Sequence, residues 1–167
     1  DNNIPNLSDR EKLQILSKGF QATVMMTEIV HFNPKYPEYQ NIYFPSYKNP
    51  YAHVYDNGDW ILMHRDEIID ILYDRFKDFL EVILEIGGGI AYKFKDPRKR
   101  KAFENWLISD DGSKSTKNIK HDIMMLLLNK NSIPKATRKM IKNEIRKEFL
   151  KMYSFHNLRY IGNKCKE

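Results

Sequence analysis

Tyr51-Ala52-His53-Val54-Tyr55-Asp56-Asn57-Gly58-Asp59-Trp60-Ile61-Leu62-Met63 carries the strongest folding signal in the chain. Two β-prone pieces, 51–55 and 60–63, flank Asp56-Asn57-Gly58-Asp59. Asn-Gly is the dipeptide that most readily takes up the positive φ angles of a two-residue hairpin turn. Residues 36–60 also hold eight aromatics (Tyr36, Tyr39, Tyr43, Phe44, Tyr47, Tyr51, Tyr55 and Trp60), broken by Pro45 and Pro50. With a third strand at 41–44, this stretch predicts a small antiparallel sheet of two or three strands near the N-terminal third.

Outward from the hairpin the period changes from two to 3.6. Ser8-Asp9-Arg10-Glu11 is a capping box, and the helix it opens should carry Leu13, Leu16, Phe20, Val24 and Ile29 inward and end near Phe32, before Pro34 and Pro37. From 65 to 86 a long amphipathic helix is expected. Ile68, Ile69, Leu72, Phe76, Phe79, Leu80 and Ile83 share one face of it; Asp66, Asp70, Asp74, Asp78, Glu81 and Glu85 share the other. Gly87-Gly88-Gly89 ends that helix and reads as a hinge. Asp96-Pro97 reads as the N-cap and first position of a helix to about 108. Residues 110–117 read as a linker, followed by helices at about 118–128 and 133–153 joined by a tight turn. The tail from Gly162 should fray. The expected class is α+β, mostly α, with about five helices. Residues 1–110 form a helix-hairpin-helix core, and 117–160 a basic helical hairpin packed on the same core as a single domain.

Hydrophobic residues make up 41% of the 167 residues and charged ones 30%, enough for a core, and no apolar run approaches the length of a membrane span. No signal-peptide pattern opens the chain, and its start at Asp1 without Met reads as an excised or processed piece. A single cysteine, Cys165, makes neither an internal disulfide nor a cysteine-rich metal site, which suits a reducing compartment. The net charge of +6 conceals a split: residues 1–111 hold 14 Lys/Arg against 18 Asp/Glu, and residues 112–167 hold 14 against 4. The second segment therefore carries +10, the pattern of a surface that meets nucleic acid or another acidic partner.

Lys135, Arg138, Lys139, Lys142 and Arg146 fall on one side of the last helix, with Thr137, Ile141, Ile145, Phe149 and Met152 expected on its buried side. Phosphate contact needs such a stripe, because each neutralised phosphate releases counterions. A helix, a tight turn and a basic second helix also suits a helix-turn-helix. Arg98, Lys99, Arg100 and Lys101 form a second basic cluster that would extend the patch. The aromatics of the sheet region would mostly pack in the core, leaving Tyr36, Tyr39 and Tyr47 as the members free to stack on bases. The carboxylates of the long helix form a continuous ladder, which is a solvated face unless it docks a basic helix. His31, His53, His64, His121 and His156 are scattered with no zinc-ligand spacing. No nucleotide-binding glycine loop and no Gly-x-Ser-x-Gly occurs, so neither a cofactor nor a catalytic residue is assigned.

His31-Phe32-Asn33, Pro37-Glu38, Tyr51-Ala52-x-Val54-Tyr55-Asp56 leading to Trp60, and Asp66-Glu67-Ile68-Ile69-Asp70 resemble the C-terminal module of uncharacterised, often zinc-finger-containing proteins of giant nucleocytoplasmic large DNA viruses. The likeness is strongest over about residues 11–80. Where that family has a His-Asn pair this chain has Gln40-Asn41, so no role for that histidine carries over. The resemblance implies a viral protein inside an infected host cell and supplies no catalytic residues. The expected function is non-enzymatic nucleic-acid binding, DNA ahead of RNA. The alternative is a protein-interaction or self-assembly module in which the acidic stripe of one copy, or of a viral partner, meets the basic helix of another. A metal-dependent nuclease of unrecognised type is third.

Overall fold

Asn57 and Gly58 take φ angles of 47° and 95°, the left-handed pair that a two-residue hairpin requires. They join β2 (Tyr51–Asp56) to β3 (Asp59–His64), paired antiparallel from Tyr51↔His64 to Asp56↔Asp59. β1 (Ile42–Tyr43) adds to β2 with Ile42 opposite Val54 and Tyr43 opposite His53, giving a three-stranded sheet in the order β1-β2-β3. The computed structural model of the protein describes residues 3–86, 96–109 and 112–164, and for 85–86 and 155–164 the backbone alone. Gly87-Gly88-Gly89, expected to act as a hinge, the first two residues of the expected linker, Asp110 and Asp111, and Cys165 lie outside the described residues.

Among the described residues there are six α-helices: α1 (Asp9–Leu16), α2 (Ala22–His31), α3 (Arg65–Ile86), α4 (Pro97–Ile108), α5 (Lys114–Asn129) and α6 (Ser132–Lys164). The fold is thus α+β and mostly α. The capping box forms as expected, with Ser8 and Glu11 bonding reciprocally. One expected N-terminal helix is instead two. Gly19 adopts φ 55°, where a helix cannot continue, and a short 3₁₀ turn (Gly19–Gln21) resets the direction. Phe20, expected inside, is consequently 50% exposed and meets the edge of Trp106 at 5.8 Å. The expected linker at 110–117 is shorter, because Ser113 caps α5 by accepting from the Thr116 N–H. Residues 162–164 continue α6 rather than fraying.

α2 sits at the centre, against α1, α3 and α5, while α4 packs on α3 and on the 3₁₀ turn. Ile68, Ile69, Leu72, Phe76, Leu80 and Ile83 bury the predicted face of α3; Phe79 is half-buried. Ile119, Ile123, Met124 and Leu127 of α5 join the same apolar cluster as Phe44 and Phe103. Lys120 of α5 bonds Asp70 at 2.8 Å, so one carboxylate of the acidic ladder is paired within the chain. α6 is different: it touches the body through β1 and the 38–40 segment, then leaves it.

Candidate nucleic-acid interface

Alternation along the strands divides the sheet into two chemically distinct faces. Ala52, Val54, Met63, Ile61 and Ile42 point one way. Tyr43, Tyr51, His53, Tyr55, Trp60, Leu62 and His64 point the other, as the register pairs Tyr43 with His53, Tyr55 with Trp60 and Tyr51 with His64. On this outer face Tyr43 stacks on His53 at 4.6 Å and meets Trp60 edge-on at 4.8 Å. Tyr55 meets Trp60 at 5.1 Å, and Tyr51 meets His64 at 5.1 Å. Burial and the nearby Lys135 charge push the His53 imidazole below its ordinary value, so it stays an uncharged stacking partner.

The first two turns of α6 lie across this platform. Lys135 holds its ammonium 4.7 Å from the centre of the Tyr43 ring, and Arg138 its guanidinium 4.4 Å from Tyr55. Gln40 anchors the crossing. Its side chain, 2% exposed, donates to the Asn33 carbonyl at 3.0 Å and accepts from the Thr137 hydroxyl. Arg138 donates from Nε to the Gln40 carbonyl at 3.2 Å and from its other end to the Glu38 carbonyl. Burial lowers the Arg138 pKa, partly offset by Tyr55 and Glu38. The sequence offers no signal that Gln40 would hold α6, since its partners lie about a hundred residues away.

The basic stripe therefore divides. Arg138 is committed to the body and Lys135 to a ring face, whereas Lys139, Lys142 and Arg146 are exposed and make no ion pair among the described residues. A helix-turn-helix reader presents the N-terminal residues of its second helix to a groove; here those residues face the sheet. The expected buried side of α6 is corrected as well. Thr137 and Ile141 are half-buried, but Ile145, Phe149 and Met152 are 64%, 61% and 63% exposed, because the helix has passed the edge of the body.

Arg98, Lys99 and Lys101 are exposed at the start of α4, and Arg100 is paired with Glu104 at 2.8 Å. α4 is seated on α3 and the 3₁₀ turn, so this cluster and the α6 stripe are anchored to different parts of the molecule. Two of the three tyrosines expected to be free are not. Tyr36 is buried and donates its hydroxyl to Glu11 at 2.9 Å, and Tyr39 is half-buried; Tyr47 is exposed. On the outer face Tyr51 is the exposed tyrosine, and Trp60 is half-buried between Tyr43 and Tyr55.

No family model, no curated protein and no solved structure matches the chain. No described helix is long and apolar enough to cross a membrane.

Proposed function

We propose that the protein is a non-enzymatic module that binds single-stranded nucleic acid along the basic stripe of α6 and the aromatic outer face of the sheet. The observation that carries this reading is the crossing itself, with Lys135 over Tyr43 and Arg138 over Tyr55. Cations that follow a backbone and rings that accept bases are the two components of sequence-tolerant strand binding. Lys139, Lys142 and Arg146 supply the free cations, and Tyr51, His64 and the half-buried Trp60 supply the rings of the outer face. The giant-virus resemblance favours DNA over RNA and an infected host cell as the setting of this function. Fluorescence anisotropy with labelled single strands tests it. Three phosphate contacts give a log–log salt slope of about −2, at roughly −0.7 per contact. Replacing Lys139, Lys142 and Arg146 by Glu should abolish binding, and salt-independent binding would exclude the reading.

A second reading, self-assembly, is favoured by the bare apolar stripe of Ile145, Phe149 and Met152 beside those cations. Asp66, Asp74 and Asp78 on the solvent face of α3 offer a complementary surface on another copy. Light scattering across concentration and salt separates the two: a monomer at high concentration in low salt rules assembly out. Among the described residues no group of three or more His, Cys, Asp or Glu is placed to hold a metal ion, so the nuclease reading gains no support.

A further inference from the structure

The fold treats the two edges of its sheet differently. β1 has two residues and is covered by α5 and the start of α6. β3 has six, pairs with β2 in an unbroken register, and forms the opposite edge. An open edge is a template for another strand, and proteins blunt it with Lys, Pro, a bulge or a covering element. Asp59-Trp60-Ile61-Leu62-Met63-His64 carries no Lys, Arg or Pro, and Ile61 and Leu62 are 44% and 60% exposed.

The hairpin determines which backbone groups point outward. Across its two-residue turn the closing pair, Asp56 and Asp59, is hydrogen-bonded, and bonded pairs then alternate along the ladder. Ile61 and Met63 therefore bond to β2. The Arg65 N–H, which donates to the Pro50 carbonyl at 2.9 Å, continues the same odd-numbered series. Trp60, Leu62 and His64 turn their N–H and C=O groups away from β2. Those of Trp60 and Leu62 have no hydrogen bond among the described residues.

This edge is complementary to itself. An antiparallel pairing of β3 with β3 of a second copy has a twofold axis. With that axis at Leu62, Leu62 stands opposite Leu62, Trp60 opposite His64 and Ile61 opposite Met63. The Asp59 carboxylate of each copy then stands opposite Arg65 of the other. Asp59 makes no ion pair among the described residues. Arg65 gives one terminal nitrogen to the Tyr47 carbonyl and lies 3.7 Å from the exposed Asp66, which leaves it donors to spare. Moving the axis to Ile61 or Met63 would leave His64 or Trp60 with no strand residue opposite, and would set Arg65 against Asn57 or Ile61. We propose that the protein forms a symmetric dimer through β3, its two sheets joined into one. The Leu62 N–H of each copy donates to the Leu62 carbonyl of the other, and the His64 N–H to the Trp60 carbonyl. The twofold runs normal to the sheet, so both aromatic faces and both α6 helices lie on one side. The bonds at the edge use neither the α6 cations nor the α3 carboxylates, so the dimer depends on neither functional reading.

Sedimentation equilibrium of the full chain across concentration, at low and at high salt, tests it. A concentration-dependent dimer should persist at high salt, because salt screens charges and not main-chain bonds or apolar contacts. Leu62→Lys should be monomeric with an unchanged circular dichroism spectrum, since the side chain is exposed and the Leu62 backbone makes no bond to β2. Asp59→Lys should weaken the dimer severalfold. Lys139→Glu/Lys142→Glu/Arg146→Glu should dimerise as the parent chain does, which separates this contact from assembly through α6. The register is read by cysteines in a Cys165→Ser background. Leu62→Cys should form an intermolecular disulfide on oxidation, because a bonded antiparallel pair sets its Cα atoms about 5.5 Å apart. Ile61→Cys, on the same edge, should not, because Met63 stands opposite it. A monomer at every concentration overturns the inference. So does a dimer that survives Leu62→Lys, or a disulfide that forms through Ile61→Cys in preference to Leu62→Cys. Strand affinity measured on the parent chain and the triple variant reports on nucleic-acid binding separately.

Discussion

Arg138 belongs to a five-cation stripe in the sequence and to a clamp in the folded chain. Its donors serve the Gln40 and Glu38 carbonyls and its plane covers Tyr55, leaving little to offer a phosphate. Arg138→Met should therefore cost about 1–3 kcal/mol of stability, the range for stranding buried polar partners, without changing the salt slope of strand binding. Lys139→Gln should do the reverse: stability within about 0.5 kcal/mol, and a slope smaller by about 0.7. Urea titrations beside binding isotherms check both, and equal behaviour of the two variants would refute the division. His31 makes the second prediction at this scale. Its folded pKa of about 4 lies below the unfolded value of 6.5, so the unfolded chain binds the extra proton between them. Stability is full above pH 6.5 and falls as pH drops towards about 4, by about 3 kcal/mol in total from this group. Glu11 contributes in a lower window. Burial raises its pKa, but bonds from Ser8, Tyr36 and Lys35 together bring it to about 2, so its contribution is present above 4.5 and lost below. NMR titration of the His31 ring should give a midpoint near 4; a midpoint at 6 or above would contradict its burial.

Gly19 decides how the first third of the chain is divided into elements. At φ 55° any L side chain is strained, although nothing lies within 4 Å of an added Cβ, so Gly19→Ala should destabilise by about 1 kcal/mol through backbone alone. A stabilised variant would show that the turn can straighten into one helix. Amphipathic period and capping made α3 legible, and Asn57-Gly58 made the hairpin legible, because those signals are local. The break at Gly19 was not legible: a glycine inside an apolar-periodic run is compatible with a continuous helix until tertiary packing selects the turn. The same limit applied to α6. A helix wheel gives the relative faces but not the point where the body ends, so Ile141 and Ile145 looked alike although one is half-buried and the other bare. The cations of the candidate site were legible one by one, but its rings were not, since Tyr36 and Tyr39 were expected free and are not, while Tyr51 and Trp60 were expected in the core. The crossing of helix and sheet depends on Gln40 and Thr137, which are far apart in sequence. From residue 142 to 154 every described side chain is exposed, so this part of the helix lacks the tertiary packing that supplies most helical stability in proteins. Its amides should exchange within minutes in the monomer, against hours for those of α5 around Ile123 and Leu127. Slow exchange beyond 142 in a monomer would mean that the helix is covered.

At the scale of the whole molecule, the +10 of the C-terminal segment is only partly answered by the acidic face of α3. Lys120 pairs with Asp70 and Lys130 with Glu28, both from outside the α6 stripe, so Lys139, Lys142 and Arg146 remain without an ion pair among the described residues. The sheet gives that stripe a second chemistry, since the same helix that carries the cations crosses the aromatic face. A charged helix alone would bind any polyanion, and an aromatic face alone would bind without salt dependence. Their combination makes a specific demand, that affinity fall with salt and also depend on ring area. Trp60→Ala should weaken binding by about 1–3 kcal/mol, the value of one stacked base, while leaving the salt slope unchanged. The most direct measurement is the affinity for a labelled single-stranded DNA from low to physiological salt, for the parent chain and for Lys139→Glu/Lys142→Glu/Arg146→Glu. Strand binding along α6 requires a steep loss with salt in the parent and no measurable binding by the triple variant. Equal binding by the two proteins, or no binding by the parent at the lowest salt, would contradict it.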